Sequence, residues 1–193
     1  MMEPSILIAG NPEYGLAQSI NEQWKELNVR QMTFKSRSHS STDLTSVHEQ
    51  KEFAKLSLEY KTTILVSCTW GYEQVKLTER IIKTWIENNH NGYLIVLGSS
   101  ADTPVKGTAW SYPVEKKALR AYCRQLSQIS AGENQHKFKV TYLAPGNMHT
   151  PKQDEKMPDT PKLNTEYVAS ILEWLINQPH NVNISELTLD IIP

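Results

Sequence analysis

The stretch ILIAGNPEYGLA, residues 6–17, runs from an apolar core through a glycine-bearing turn into the start of an amphipathic pattern. Four branched or small apolar residues in a row read as a buried strand, part of the apolar run SILIAG at 5–10. The residues that follow, Leu16, Ile20, Trp24 and Leu27, recur at helical spacing, and Asn28 reads as a left-handed stop for that helix. A strand that turns through glycines into a helix is the opening of a β–α unit. Gly10 and Gly15 let the backbone turn tightly and let a pyrophosphate approach the positive end of the helix. Asn11, Tyr14 and Leu16 belong to the same turn, and Ala17 stands where a third glycine would favour close helix packing, one methyl larger.

Outward from this unit the alternation continues. VRQMTF (29–34), TTILVSC (62–68), YLIVLG (93–98), FKVTYLA (138–144) and SELTLDII (185–192) read as further strands. Helical periods lie between them: Val47, Phe53, Leu56 and Leu58; Leu77 to Ile86; Val114, Ala118, Tyr122, Leu126 and Ile129; and Val168 to Leu175. Continuous apolar strands separated by helices predict a parallel sheet covered on both faces, a Rossmann-like doubly wound α/β fold. The chain of 193 residues suits one domain over 1–193, large enough to bury roughly 70% of the surface its unfolded form exposes. One segment resembles a linker, PKQDEKMPDTPK (151–162), with three prolines. It reads as a plain surface loop or as a substrate-covering one, and its place after a strand's carboxyl end favours the second.

Composition narrows the partners. Twenty basic and 21 acidic residues leave a net charge of −1. Such a balance offers no electrostatic reason to bind nucleic acid or an anionic membrane, so any basic site must be local. Two cysteines among the 193 residues argue against a disulfide framework and for a reducing, cytoplasmic home. No apolar run is long enough for a membrane span, and the first residues lack the basic flank of a signal peptide. Six histidines show no metal-ligand spacing and read as surface residues, with His149 alone near a substrate position. Trp24, Trp85 and Trp174 lie on helix faces and read as core or interface residues. Trp110 is a candidate for lining a substrate site.

At the end of the second strand stand Lys35, Ser36 and Arg37, with no carboxylate. An acidic residue there would bind a ribose diol, whereas a basic one accommodates a 2′-phosphate. The reading therefore favours NADP(H) over NAD(H).

The stretch SYPVEKKAL (111–119) places Tyr112 and Lys116 four residues apart, on one face of a helix whose first turn contains Pro113. An ammonium beside a phenol favours the phenolate and is expected to lower the tyrosine pKa toward neutrality. Ser99 and Ser100, 13 and 12 residues upstream, lie at a strand's end. With these motifs the sequence resembles the short-chain dehydrogenases/reductases over nearly its whole length. The resemblance implies that Tyr112 is the general acid/base, that Lys116 tunes it and binds the nicotinamide ribose, and that Ser100 holds the substrate oxygen. The commoner spacing selects Ser99 instead. PGNMHT (145–150) resembles the family's turn at the nicotinamide end, which gives Pro145, Gly146, Met148 and Thr150 as cofactor residues. DLTS (43–46) resembles the pair beside adenine, Asp43 and Leu44. ISELTLDIIP resembles the last strand of NADP-preferring single-domain members.

The departures are specific. Four residues separate Gly10 from Gly15, where the family has three. The family's Asn-Asn-Ala-Gly turn is replaced by Ser67, Cys68, Thr69 and Trp70, of which Ser67 and Cys68 would border the cofactor and Trp70 would crowd its adenosine side. No asparagine lies at 71–73, where relatives hold a proton-relay water. The short link from the second strand to Asp43 implies a vestigial third strand with its helix lost. The short polar segment after Thr150 implies an open substrate site. The resemblance thus implies carbonyl–alcohol interconversion on a small molecule, by a homodimer or homotetramer formed through the helices at 75–89 and 113–130. The alternative is a dinucleotide-binding sensor or scaffold without turnover.

Overall fold

The computed structural model describes residues 5–26, 32–66, 72–103, 109–131 and 136–192. Six strands form one wholly parallel sheet: β1 (Ile6–Ala9), β2 (Met32–Lys35), β3 (Thr62–Leu65), β4 (Tyr93–Leu97), β5 (Lys139–Pro145) and β6 (Glu186–Leu189). Their order is β2-β1-β3-β4-β5-β6. The helices are α1 (Gly15–Glu26), α2 (Arg37–Ser40), α3 (Val47–Leu56), α4 (Glu73–Glu87), α5 (Tyr112–Ala131), α6 (Pro151–Lys156) and α7 (Thr165–Ile176).

Successive strand residues point to opposite faces, and both faces are covered, which is why the strands are apolar throughout. Along β1, Leu7 and Ala9 join the core built with α3, α4 and α5, including Phe53, Trp85 and Leu119. Ile6 and Ile8 join the other core, with Ile20 and Trp24 of α1 and Val168 and Leu172 of α7. Trp24 and Trp85 are therefore core residues, whereas Trp174 is exposed. The chain leaves β1 toward β2 on one side and returns to β3 on the other. The carboxyl ends of β1 and β3 thus flank the switch point where such sheets hold ligands.

Two sequence expectations change. No third strand exists even in vestigial form among the described residues: 36–61 holds the single turn of α2, then α3 and a 3-10 turn at Ser57–Glu59. Only residues 36–46 separate β2 from α3, and the single turn of α2 lies within them, which leaves no room for a crossover and a paired strand, so β2 is the sheet edge. The linker-like 151–162 is folded instead: Thr150 caps α6 through its hydroxyl, with Pro151 in the first turn, where its missing N–H has no role. Lys162, buried, then donates to the carbonyls of Met157 (2.6 Å) and Thr160 (3.2 Å) and ties down the rest. His149, as read from the sequence, is a surface residue; it pairs with Asp154 of α6 at 3.0 Å. Leu27, Asn28, Ser67, Cys68, Thr69 and Trp70 lie outside the described residues.

Among the described residues no helix is long and apolar enough to cross a membrane, and no three His, Cys, Asp or Glu side chains are grouped to hold a metal ion.

Candidate active site

The first turn leaves β1 at Gly10, whose amide donates to the Lys35 carbonyl (2.9 Å). A Cβ on Gly10 would come within 2.9 Å of the Ala17 methyl, so strand and helix meet too closely for any side chain. Asn11 shapes the turn by accepting from the Glu13 amide at 3.1 Å. Gly15 opens α1 with φ +55°, the left-handed region that glycine adopts without strain. Leu16 is buried in the core, and the first turn of α1 contains no acidic residue. A helix end with no carboxylate in its first turn suits an anion in general.

The turn after β5 meets this loop. Pro145 ends β5, and the Gly146 amide donates to Leu189 of β6 (2.7 Å). A Cβ on Gly146 would lie 2.9 Å from the Asp190 carboxylate. Met148 packs on the α1/α7 core, and the Thr150 methyl would lie 3.2 Å from a Cβ on Gly15. The Tyr14 hydroxyl accepts from the Lys152 amide of α6 (3.4 Å). The two segments assigned to opposite ends of a dinucleotide are therefore neighbours at one sheet edge.

On the β2 side, Ser36 caps α2, accepting from the His39 amide at 3.1 Å, so its hydroxyl serves the backbone. Arg37 follows it, exposed, with its charge felt at Asp43. Asp43 accepts from the Thr45 hydroxyl (2.6 Å) and amide (3.1 Å), and these bonds hold its carboxyl below the usual range. Leu44 points into the core, so only its backbone remains for a ligand.

At the end of β4, Ser99 caps a 3-10 turn, Ser100–Asp102, its Oγ accepting from the Ala101 amide (3.2 Å). Tyr112 begins α5, and the Ser99 side chain is near enough to influence its phenol. The Ser100 Oγ lies instead toward Gly146, 3.6 Å from the position of a Cβ there. Of the two serines left open by spacing, Ser99 is therefore the one that bears on the tyrosine, which makes it the candidate in place of Ser100. Trp110 stacks on the Tyr112 ring, centroids 4.9 Å apart and planes 13° from parallel, while remaining 58% exposed.

Lys116 shares the helix face with Tyr112, its Nζ 5.4 Å from the ring centroid. It is only 5% exposed and donates to Gln74 Oε1 of α4 (2.6 Å) and toward the Leu97 carbonyl (3.4 Å). Gln74 in turn donates to the same carbonyl at 2.9 Å. Nothing in sequence spacing pointed to Gln74, which lies 42 residues upstream on another helix. The expected lowering of the tyrosine pKa is not what this arrangement produces. Burial, the largest influence, pushes the Tyr112 phenol above its ordinary value; the Ser99 bond pulls it down, and Asp102 and Glu115 push it further up.

A second cluster, also unmarked in sequence, lies beneath. Asp102, 3% exposed, accepts from Arg120 of α5 (2.9 Å) and from the Tyr142 hydroxyl of β5 (2.7 Å). Arg120 and Arg124 both pair with Glu186 of β6.

Comparison of the sequence with protein-family profiles and with curated proteins returns no match. Solved structures do resemble the chain over nearly its full length. The 3-alpha-hydroxysteroid dehydrogenase of Pseudomonas sp. B-0831, solved with NADH, superposes with TM-score 0.74 at 13% identity, covering 96% of this chain and 94% of that one. A short-chain dehydrogenase of Burkholderia cenocepacia J2315 in complex with NADP gives TM-score 0.74 at 14% identity, with 98% and 89% covered. A protein described as a short chain dehydrogenase/reductase family protein gives 0.71 at 13% identity, with 98% and 97% covered. The fold of this chain is that of the short-chain dehydrogenases/reductases.

Proposed function

We propose that this chain is an NADP(H)-dependent oxidoreductase that interconverts a small-molecule carbonyl and an alcohol. The observation that carries the reading is the Lys116 ammonium 5.4 Å from the Tyr112 ring centroid, at the carboxyl edge of a parallel sheet, with Ser99 bearing on the same phenol. The residues present fit a dinucleotide: a left-handed glycine opens α1 and no carboxylate stands in its first turn. Gly10, Asn11, Tyr14 and Gly15 would hold the pyrophosphate, with Leu16 fixing the helix behind them. Arg37, next to Ser36, would take the 2′-phosphate, with Asp43 and the Leu44 backbone beside the base. Pro145, Gly146, Met148 and Thr150 would border the nicotinamide end. Bound there, the cofactor supplies or accepts a hydride.

The chain's own groups do the rest. Ser99 donates to the substrate oxygen as negative charge builds on it. Tyr112, whose phenol is pushed above its ordinary value, gives that oxygen a proton from its hydroxyl during reduction and takes it back during oxidation. Lys116, held by Gln74 and Leu97, places positive charge beside the phenolate that results. In this reading the protein works in the cytoplasm as a homodimer or homotetramer through α4 and α5.

The test is NADPH consumption over a broad carbonyl panel by the wild type and by Tyr112→Phe. Turnover by the wild type that the variant loses supports the reading; equal rates in the two overturn it. A second reading, a dinucleotide-binding sensor without turnover, is favoured by the engagement of Lys116 with Gln74 and Leu97. Tight NADPH binding with no oxidation against any carbonyl would select it.

A further inference from the structure

β4 ends at Leu97, and the next two residues carry the chain to the site. At Gly98 a Cβ would lie 1.9 Å from Cζ and 2.1 Å from Oη of Tyr142. The phenol of β5 thus occupies the volume that any side chain at 98 would need. Its Oη accepts from the Ser99 amide (3.3 Å), donates to Asp102 Oδ2 (2.7 Å) and lies 3.3 Å from the Lys116 carbonyl. Asp102 Oδ1 accepts from Arg120 (2.9 Å) and Thr103 (3.1 Å), and Arg120 continues to Glu186 on β6. A continuous polar chain therefore runs from the sheet edge to the backbone amide of Ser99, the serine that bears on Tyr112.

A carboxylate and a phenol buried in this way are expensive to desolvate, and apolar residues of similar size would pack the same space. What the polar groups add is direction, since each hydrogen bond fixes one angle of the strand exit. We propose that Tyr142 and Asp102 are positioning residues, which lock the Ser99 backbone so that its hydroxyl stays on Tyr112 and faces the substrate oxygen. This rests on the oxidoreductase reading for its catalytic consequence, but not for its structural one.

The experiment compares wild type, Ser99→Ala, Tyr142→Phe and the double variant, with tyrosine labelled at the ζ carbon. The Tyr112 resonance, assigned by its loss in Tyr112→Phe, reports the bond to Ser99 at neutral pH without any turnover. It is expected to move in Tyr142→Phe in the same direction as in Ser99→Ala, and no further in the double variant. Where turnover is measurable, each single change lowers kcat roughly 10- to 100-fold, and the double falls no lower than Ser99→Ala. NADPH affinity is expected to change by less than about twofold, because Tyr142 approaches Lys116 only at its main-chain carbonyl and leaves the ammonium in place. A Tyr112 resonance unmoved by Tyr142→Phe, or single effects that simply add, overturns the proposal. If Tyr142→Phe does not fold, Asp102→Asn keeps the shape while weakening the same chain, and an unmoved Tyr112 resonance there overturns it equally. A wild type that reduces no carbonyl removes the reading of function and leaves the resonance to decide the positioning.

Discussion

A single methyl at residue 98 strikes the ring tip of Tyr142, a side chain with no exposed surface. In Gly98→Ala the added carbon begins 1.9 Å from Cζ, well inside van der Waals contact, so the ring or the strand end must shift. Overpacking of this kind costs about 1–3 kcal/mol. A displaced phenol also leaves the Asp102 carboxylate without its 2.7 Å donor, and an unmet buried acceptor costs a further ~1–3 kcal/mol. The expected loss is therefore about 2–6 kcal/mol. Urea unfolding of the two proteins, followed by tryptophan fluorescence and compared at equal slope, measures it. A loss below about 0.5 kcal/mol would refute the argument, because it would mean that the space beside Gly98 is open.

Burial holds the Tyr112 phenol above its ordinary value, so carbonyl reduction is expected to be flat from about pH 6 to 8. Alcohol oxidation should rise with alkalinity, and a near-neutral midpoint in the reduction profile would contradict this. Arg37→Glu is expected to lower the NADPH-to-NADH preference in kcat/KM by roughly 10- to 100-fold, as the loss of one charge-assisted bond predicts. Arg120, then Arg124, hold Glu186 below its ordinary value of 4.5. A carboxyl with a depressed folded pKa stabilises the fold above its unfolded value, and that stability fades as pH falls through the folded one. Glu186→Gln should accordingly flatten the acid limb of the stability–pH curve, and an unchanged limb would remove Glu186 from it.

Much of the architecture was legible because it depends on local pattern. Apolar runs of strand length separated by helical periods could only form a covered parallel sheet, and Pro113 marked the start of α5 within a residue. The pairing of Tyr112 with Lys116 follows from helix geometry alone. The rest depended on partners far away in sequence. Which of Ser99 and Ser100 meets the tyrosine is set by a 3-10 turn whose cap is Ser99 itself, and a run of two serines carries no mark of that. The partner of Lys116 comes from α4, and the surroundings that raise the Tyr112 pKa come from burial, which spacing does not report. Asp102, Tyr142, Arg120 and Glu186 come from the 3-10 turn, β5, α5 and β6 and have no motif in common. The vestigial strand is an expectation from the family pattern, and 36–46, between β2 and α3, holds only the single turn of α2. His149 reads as a surface residue in the sequence and is one, paired with Asp154.

Every functional statement above depends on a nucleotide lying against the first turn, where Gly15 opens α1 with φ +55° and a Cβ would press on Thr150 at 3.2 Å. Calorimetric titration of NADPH into the wild type and into Gly15→Val tests this directly, with the fold of each checked by circular dichroism. Saturable binding by the wild type that the folded variant loses is the predicted result. An absence of binding in the wild type, or equal binding by both proteins, would contradict the account.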